Sequence, residues 1–369
     1  MRKILFLIPN LKHGGAEKVL VNLVNNLDKT KFDVTLYSIF DVGVNKDFLN
    51  KDVKYKYKFK RLFRGNSQLM KLFVPKFLYQ FFIKEKYDVL VSFLEGPAAR
   101  IISGCTHPKT KKVCWIHTDF MTVNLAKTGF RNFEEAKKLY NRFDKIIGVS
   151  KEVVHSFEKI FQPKAETFVL YNINETNQIR QLALENIEYE FPYNTINICS
   201  VGKITSNKGF DRLIEVHKKL IDEGYQIKTH ILGIGEELAA LKKKIKELHI
   251  TDTFLFLGFD KNPYKYISKS DVYVCSSHRE GFSTAVTEAL VLGIPVVSTN
   301  VSGADELLGK NNEYGIVVEN SVDGLYKGLI EMFLNPENLA HYKNQAIIRG
   351  QLYSKEKTIN AVQNFLESL

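Results

Sequence analysis

Short apolar runs alternate with helix-period stripes along the whole chain, and few folds accept that pattern. Strand-like runs fall at 3–8, 32–38, 87–93, 112–116, 145–149 and 168–170. They recur near 196–201, 226–232, 254–257, 271–275, 295–299 and 315–318. Between them lie stripes of period 3.6, such as Ala16, Val19, Leu20, Leu23, Val24 and Leu27. Alternation of this kind builds α/β architectures, in which helices cover a parallel sheet. A length of 369 residues exceeds one typical domain and suits two. The expected division is 1–172, a polar crossover at 173–194 with a short helical piece, and 195–353. Two Rossmann-like domains would turn the C-terminal edges of their strands toward one cleft. A last helix is expected from Ser354, a good N-cap with Glu356 in its first turn.

No apolar segment approaches the roughly 18–20 residues of a membrane span. The basic pair and short apolar run at 1–9 lead straight into a glycine loop and a helix, so they read as a first buried strand rather than a leader. Cys105, Cys114, Cys199 and Cys275 form no Cys-x-x-Cys pair and no zinc spacing, which points to a reducing, cytoplasmic setting.

Charge is uneven. Of the net +11, residues 51–86 carry +9, from eleven basic groups against Asp52 and Glu85. Lys58, Arg61 and Arg64 lie at the centre of this segment, interleaved with Tyr55, Tyr57, Phe59 and Phe63. Read as partly helical, the segment suits the headgroup region of an anionic bilayer, at about 1 kcal/mol per basic residue near the surface. The competing reading is a solvated basic face over an aromatic core stripe, with Leu78, Phe81 and Phe82 at helical spacing. Nucleic acid is not the expected partner, because no binding module accompanies the patch.

Two glycine-containing loops carry the chemistry. In the first, a strand at 196–201 runs into Gly202 and Lys203, then Lys208 and Gly209, before a helix with Phe210, Leu213, Ile214, His217, Leu220 and Ile221 on one stripe. Lysines five apart there can close on a diphosphate as mobile point charges. In the second, Glu280, Gly281, Phe282 and Ser283 follow a short buried strand and precede a helix that carries Glu288. Free N–H groups and the positive dipole end favour an anionic ligand at such a helix start. The flanking carboxylates can accept hydrogen bonds from sugar hydroxyls, so the arrangement suits a nucleotide sugar; pairs of Glu at this spacing also occur as solvated helix charges.

Gly-Lys-x5-Lys-Gly-Phe-Asp-x-Leu-Ile from Gly202, followed by Glu-Gly-Phe-x5-Glu-Ala from Glu280, resembles the retaining family 4 glycosyltransferases of GT-B fold. Gly14, Gly15, Ala16 and Glu17 after the first strand, Tyr171 and Asn172 at the domain crossing, and the segments 301–308 and 353–356 extend the resemblance over most of the chain. One position departs: Lys203 stands where relatives often carry Arg, which removes the bidentate fork and keeps the charge.

The resemblance implies an acceptor-binding first domain, a nucleotide-sugar-binding second domain, and a final helix at 354–369 that returns to the first. It implies that Glu280 binds donor-sugar hydroxyls, that Gly281, Phe282 and Ser283 hold sugar and phosphate, and that Glu288 binds the ribose. Lys203 and Lys208 would hold the diphosphate, with the base near Gly233, Gly235 and Gly258. Gly14 and Gly15 would approach the diphosphate or the acceptor. A lone histidine at a strand end is more often structural, but His117 matches a family contact to the transferring sugar, with Asp119 either orienting it or capping the next segment.

No Asp-x-Asp occurs, so the leaving group is expected to be stabilised without a metal. No cofactor is expected either: Leu238 replaces the third glycine of a dinucleotide fingerprint after Gly233 and Gly235. The implied reaction is retaining transfer from a nucleotide sugar, a UDP-sugar first, to a saccharide. A polyprenyl-diphosphate-linked acceptor at the inner face of a bacterial membrane would explain the basic segment. The rivals are a nucleotide-sugar epimerase and a non-catalytic nucleotide- or carbohydrate-binding protein.

Overall fold

The computed structural model describes residues 1–12, 14–121, 129–189, 191–334 and 336–369. The chain divides into two compact units, Met1–Ile173 with Glu356–Leu369, and Asn174–Lys355.

The first unit is a seven-stranded parallel sheet. Its strands are β1 (Arg2–Ile8), β2 (Phe32–Phe40), β3 (Lys54–Phe59), β4 (Val89–Phe93), β5 (Lys111–Ile116), β6 (Lys145–Gly148) and β7 (Glu166–Val169). Their spatial order is β3-β2-β1-β4-β5-β6-β7, a doubly wound arrangement. Central strands read as continuous apolar runs because helices bury both faces; Ile4, Phe6, Leu7 and Ile8 of β1 are inaccessible. The helix Gly15–Asn26 turns Val19, Leu20, Leu23 and Val24 onto the sheet. Ser150 caps the helix Lys151–Phe161, its side chain accepting from Val153 N. The final helix, Lys355–Ser368, belongs to this unit from Glu356 onward. Phe365 packs on Phe168 at 5.0 Å between ring centres, and Asp28 N donates to Gln363 Oε1 at 2.8 Å.

The basic segment differs from its sequence reading. It opens as a strand: β3 pairs with β2 at the sheet edge, and only then do the helices Asn66–Leu72 and Pro75–Phe82 follow. Lysine and aromatic residues alternate with the period of two that an extended chain requires. In the second helix Leu78 and Phe82 are buried, whereas Phe81 is 38% exposed, so the expected core stripe is incomplete.

The second unit is a six-stranded parallel sheet. Its strands are β8 (Ile196–Val201), β9 (Ile227–Leu232), β10 (Phe254–Gly258), β11 (Val272–Cys275), β12 (Val296–Thr299) and β13 (Ile316–Val318), in the order β10-β9-β8-β11-β12-β13. Phe210, Leu213, Ile214 and Leu220 of the helix Phe210–Asp222 meet Ile198, Ile231 and Val274 in one core. The stretch 174–189 is bound to this unit. Its helix Thr176–Leu182 receives Asn262 Nδ2 at the Leu182 carbonyl, 2.9 Å, and Tyr189 meets His230 Nε2 at 3.2 Å.

Candidate active site

Doubly wound sheets bind ligands beyond their strand C-termini, where the winding reverses. In the second unit that point lies between β8 and β11. The loop after β8 contains a 3-10 turn, Ser206–Lys208, closed by Gly209 at φ +63. Glycine is needed there twice over, for the left-handed backbone and because a Cβ would run into the Ser276 carbonyl. The loop after β11 ends at Ser283, which caps the helix Thr284–Val291 by accepting from Val286 N at 3.4 Å.

Side chains from the two loops interlock. Lys208 Nζ donates to Glu280 Oε1 at 2.6 Å, and Ser277 Oγ donates to the same oxygen at 2.6 Å. Ser276 Oγ donates to the Lys208 carbonyl at 2.8 Å, while Arg212 Nε donates to the Ser276 carbonyl at 2.7 Å. Arg212 is anchored in turn on Asn320 Oδ1 at 2.7 Å. The Lys208 and Glu280 side chains are 26% and 13% exposed, so the pair is shielded yet reachable. Burial works against the Lys208 ammonium, but the Glu280 carboxylate outweighs it and holds the lysine above its ordinary range. A narrow cavity beside the pair is walled by Ser200, Val201, Tyr273 and Ser277. A cation, a carboxylate and a helix N-terminus together can hold a phosphate and sugar hydroxyls.

Other expected residues take distinct places. Glu288 is 4% exposed and its Oε1 accepts from Tyr264 Oη at 3.1 Å. Phe282 turns inward onto Tyr353, 5.8 Å between ring centres, leaving the backbone of its turn as the part that can meet a ligand. That turn lies against Gly303, where a Cβ would come within 3.0 Å of the Gly281 carbonyl. Gly258 ends β10 at φ +79 with open space where a Cβ would be. Lys203 does not join the Lys208–Glu280 cluster. Ile204 is tied to the neighbouring loop through Ile234 O at 2.9 Å, and exposed Lys203 pairs across 3.7 Å with Glu236.

In the first unit the winding reverses between β1 and β4. Gly14 precedes the helix that Gly15 opens, and its carbonyl accepts from Lys18 N at 3.2 Å. The Glu17 carboxylate folds against Gly14, and burial pushes its carboxyl up. After β4 the backbone twists through Leu94 at φ +86 and Gly96 at φ +82. A leucine in that region is strained, a condition that concentrates at functional sites. The twist delivers Glu95 to the end of β5, where it accepts from His117 N at 3.1 Å and from Thr118 Oγ1. The His117 ring lies on Phe93 at 4.6 Å, and its buried Nε2 has no partner among the described residues. Burial pushes the imidazole down to about 3, so it is neutral at physiological pH. Asp119 Oδ1 accepts from Met121 N at 2.9 Å, and the segment that follows lies outside the described residues. Lys58 lies half-buried beside Phe81, and Arg61 and Arg64 are exposed.

The chain matches the family described as Glycosyl transferases group 1 over residues 186–349, and Glycosyltransferase Family 4 over 13–177. It is 30% identical over 394 aligned positions to N-acetylgalactosamine-N,N'-diacetylbacillosaminyl-diphospho-undecaprenol 4-alpha-N-acetylgalactosaminyltransferase of Campylobacter jejuni, covering 99% of this chain and 100% of that one. The chain belongs to glycosyltransferase family 4. A second relative of this glycosyltransferase is the amylovoran biosynthesis glycosyltransferase AmsD of Erwinia amylovora, 24% identical with 92% of each chain covered. Among solved structures, HepE of Anabaena in complex with UDP-glucose superposes at a TM-score of 0.79 with 20% identity and all of both chains covered. The two Rossmann-like units of the glycosyltransferase are those of the GT-B fold.

The sequence singled out Lys208, Glu280 and Glu288 through their spacing. It missed Ser277, which acts within its own loop, and Arg212, Tyr264 and Glu95, which act through contacts between distant segments. The one local signal was Ser277, three residues before Glu280 in the same loop.

Proposed function

We propose that this glycosyltransferase moves a sugar from a UDP-sugar, with retention at the anomeric carbon, onto a lipid-linked saccharide in bacterial surface-polysaccharide assembly. The observation that carries the reading is the Lys208–Glu280 pair at 2.6 Å, beside a helix N-terminus where the second sheet reverses its winding. Phosphate oxygens compete for Lys208, sugar hydroxyls compete for Glu280, and Glu288 takes the ribose. The HepE complex with UDP-glucose and the undecaprenol-linked substrate in the Campylobacter relative's name support the donor and acceptor classes.

Retention proceeds on one face of the sugar. The C–O bond to the diphosphate breaks, the acceptor oxygen attacks from the same side, and its proton passes to the departing phosphate. Lys208 and backbone N–H groups stabilise the charge that develops on the leaving group, and no metal is required. Neutral His117 offers one imidazole nitrogen to the transferring sugar.

The basic segment holds the enzyme at the anionic inner face of the membrane. No helix among the described residues is long and apolar enough to cross one, so contact at the surface is the mode proposed.

The test screens UDP-, GDP- and ADP-sugars against membrane extract containing lipid-linked acceptors, with and without EDTA, and assigns the new anomeric bond by NMR. Transfer from a UDP-sugar with retained configuration in EDTA is expected. Inversion, or a complete loss that Mg²⁺ restores, overturns the mechanism; an epimerised nucleotide sugar formed without acceptor overturns the reaction class.

A further inference from the structure

The first unit contains a cavity of about 530 Å³, remote in sequence from the loops that carry Lys208 and Glu280. It opens beside edge strand β3, with Leu5, Phe82 and Ile83 as apolar floor and Tyr37, Tyr57 and Tyr87 among its walls. Its size falls in the range of small-molecule sites. Three lysines line it, Lys56, Lys58 and Lys84, against one acid, Glu85. Glu85 is already engaged, pairing with Lys56 and accepting from Tyr87 Oη at 3.1 Å.

Lys58 and Lys84 therefore share the cavity with no carboxylate between them among the described residues. Lys58 Nζ is held in place, donating to the Phe81 carbonyl at 2.9 Å and lying 3.7 Å over the Phe81 ring. Burial, together with the neighbouring Lys84, draws its ammonium below the ordinary range. Two like charges without a counter-charge, one of them held in place, repel each other until an anion arrives.

What adjoins the cations decides the kind of anion. Phe81 stacks on Phe77 at 6.2 Å, and Phe77 on Phe73 at 5.1 Å, a ladder running from the end of the helix Asn66–Leu72 along the helix Pro75–Phe82. These rings are 38%, 47% and 40% exposed, and Leu72 and Val74 beside them are 73% and 56% exposed. The loop that carries them is fixed from below. Buried Arg100 donates to the Phe73 carbonyl at 2.8 Å and Arg131 to the Leu72 carbonyl at 3.0 Å. A contiguous apolar track of this kind marks an interaction surface, and here it starts at a cation pair.

We infer that this cavity binds the phosphate head of an anionic bilayer lipid through Lys58 and Lys84, with the lipid chain lying along Phe81, Phe77 and Phe73. The inference rests on the proposed membrane contact and gives it an address: one built site instead of a diffuse basic face.

The experiment sediments the full-length protein with phosphatidylglycerol–phosphatidylcholine vesicles. It compares Lys58→Gln/Lys84→Gln with a charge-matched control, Lys60→Gln/Arg61→Gln. The first pair is expected to lower partitioning roughly thirty-fold or more, and the control, whose charges lie outside the cavity, by a clearly smaller factor. Phe77→Ser, an exposed position, should weaken binding without shifting the melting temperature. Glycerol phosphate at constant ionic strength should compete with the wild type and not with the first pair. Equal losses from both pairs overturn the site and leave the membrane reading standing, whereas no vesicle binding by the wild type overturns both. Binding to neutral vesicles only when polyprenyl phosphate is added makes the occupant an acceptor carrier, and competition by inorganic phosphate without any vesicle dependence makes it a soluble anion. Either outcome overturns the bilayer lipid.

Discussion

Under the proposed function, single side chains in the two loops of the second unit do opposite jobs on one ligand. In the proposed reaction Glu280 meets the sugar, so Glu280→Gln should lower kcat by about 10²–10³-fold while UDP binding changes only a few-fold. Titration calorimetry with UDP beside steady-state kinetics reads both, and near-normal turnover of the folded variant would remove Glu280 from the reaction. Lys208→Ala should instead weaken UDP binding by about ten-fold, and unchanged affinity would place the diphosphate elsewhere. In the proposed reaction Glu95 is a positioning residue that acts through His117, from whose backbone N–H it accepts at 3.1 Å. Glu95→Ala frees the His117 backbone and should lower kcat with little change in donor KM, and Glu95→Gln, which keeps an acceptor oxygen, should restore most of it. Equal kcat values for the two variants would show that Glu95 has no part in placing the histidine. Lys208 and Glu280 were legible in the sequence because each sits at a fixed offset from a glycine and a helix start. Glu95 was not, since its role depends on the positive φ of Leu94 and on a partner 22 residues away.

At the scale of elements, strand and helix periodicities carried nearly every boundary in both sheets. The basic segment escaped because its six strand residues alternate lysine with aromatics. That composition, judged by charge and bulk, resembles an amphipathic surface helix, whereas judged by period it is an edge strand. An edge strand lined with lysine is also protected from pairing with another chain, so the same residues that mask its identity keep its open side solvated. The turn at Gly209 shows the converse, an element set by one residue. Gly209→Ala must relieve both a left-handed backbone and the Ser276 carbonyl, and should cost on the order of 2 kcal/mol of stability. Urea unfolding would measure this, with loss of UDP affinity accompanying it because Lys208 and Ser276 lose their register. A fully stable variant that still binds UDP would mean the loop tolerates another path.

For the whole molecule, buried histidines among the described residues tie stability to pH. Burial pushes His117 and His217 down to about 3 and His230 to about 4, from 6.5 when exposed. His217 is held neutral between Thr229 and Thr253, at 2.9 Å from each hydroxyl. Below pH 6.5 the unfolded chain takes up protons that the folded chain refuses, so stability falls as the pH drops toward 4, by at most about 1.4 kcal/mol per pH unit for each histidine. Urea midpoints at pH 7.0, 6.0 and 5.0 should decline in that order, and His217→Gln should flatten the decline; a midpoint independent of pH would mean these rings titrate normally. The division of the chain has a different consequence, in time. Residues 174–355 form an unbroken stretch, while the first unit waits for Glu356–Leu369 to supply Val362, Phe365 and Leu366 to its core. On a ribosome, where domains fold as their residues emerge, the half that starts first is completed last, and until then it leaves Phe168 and its neighbours uncovered for a chaperone to find.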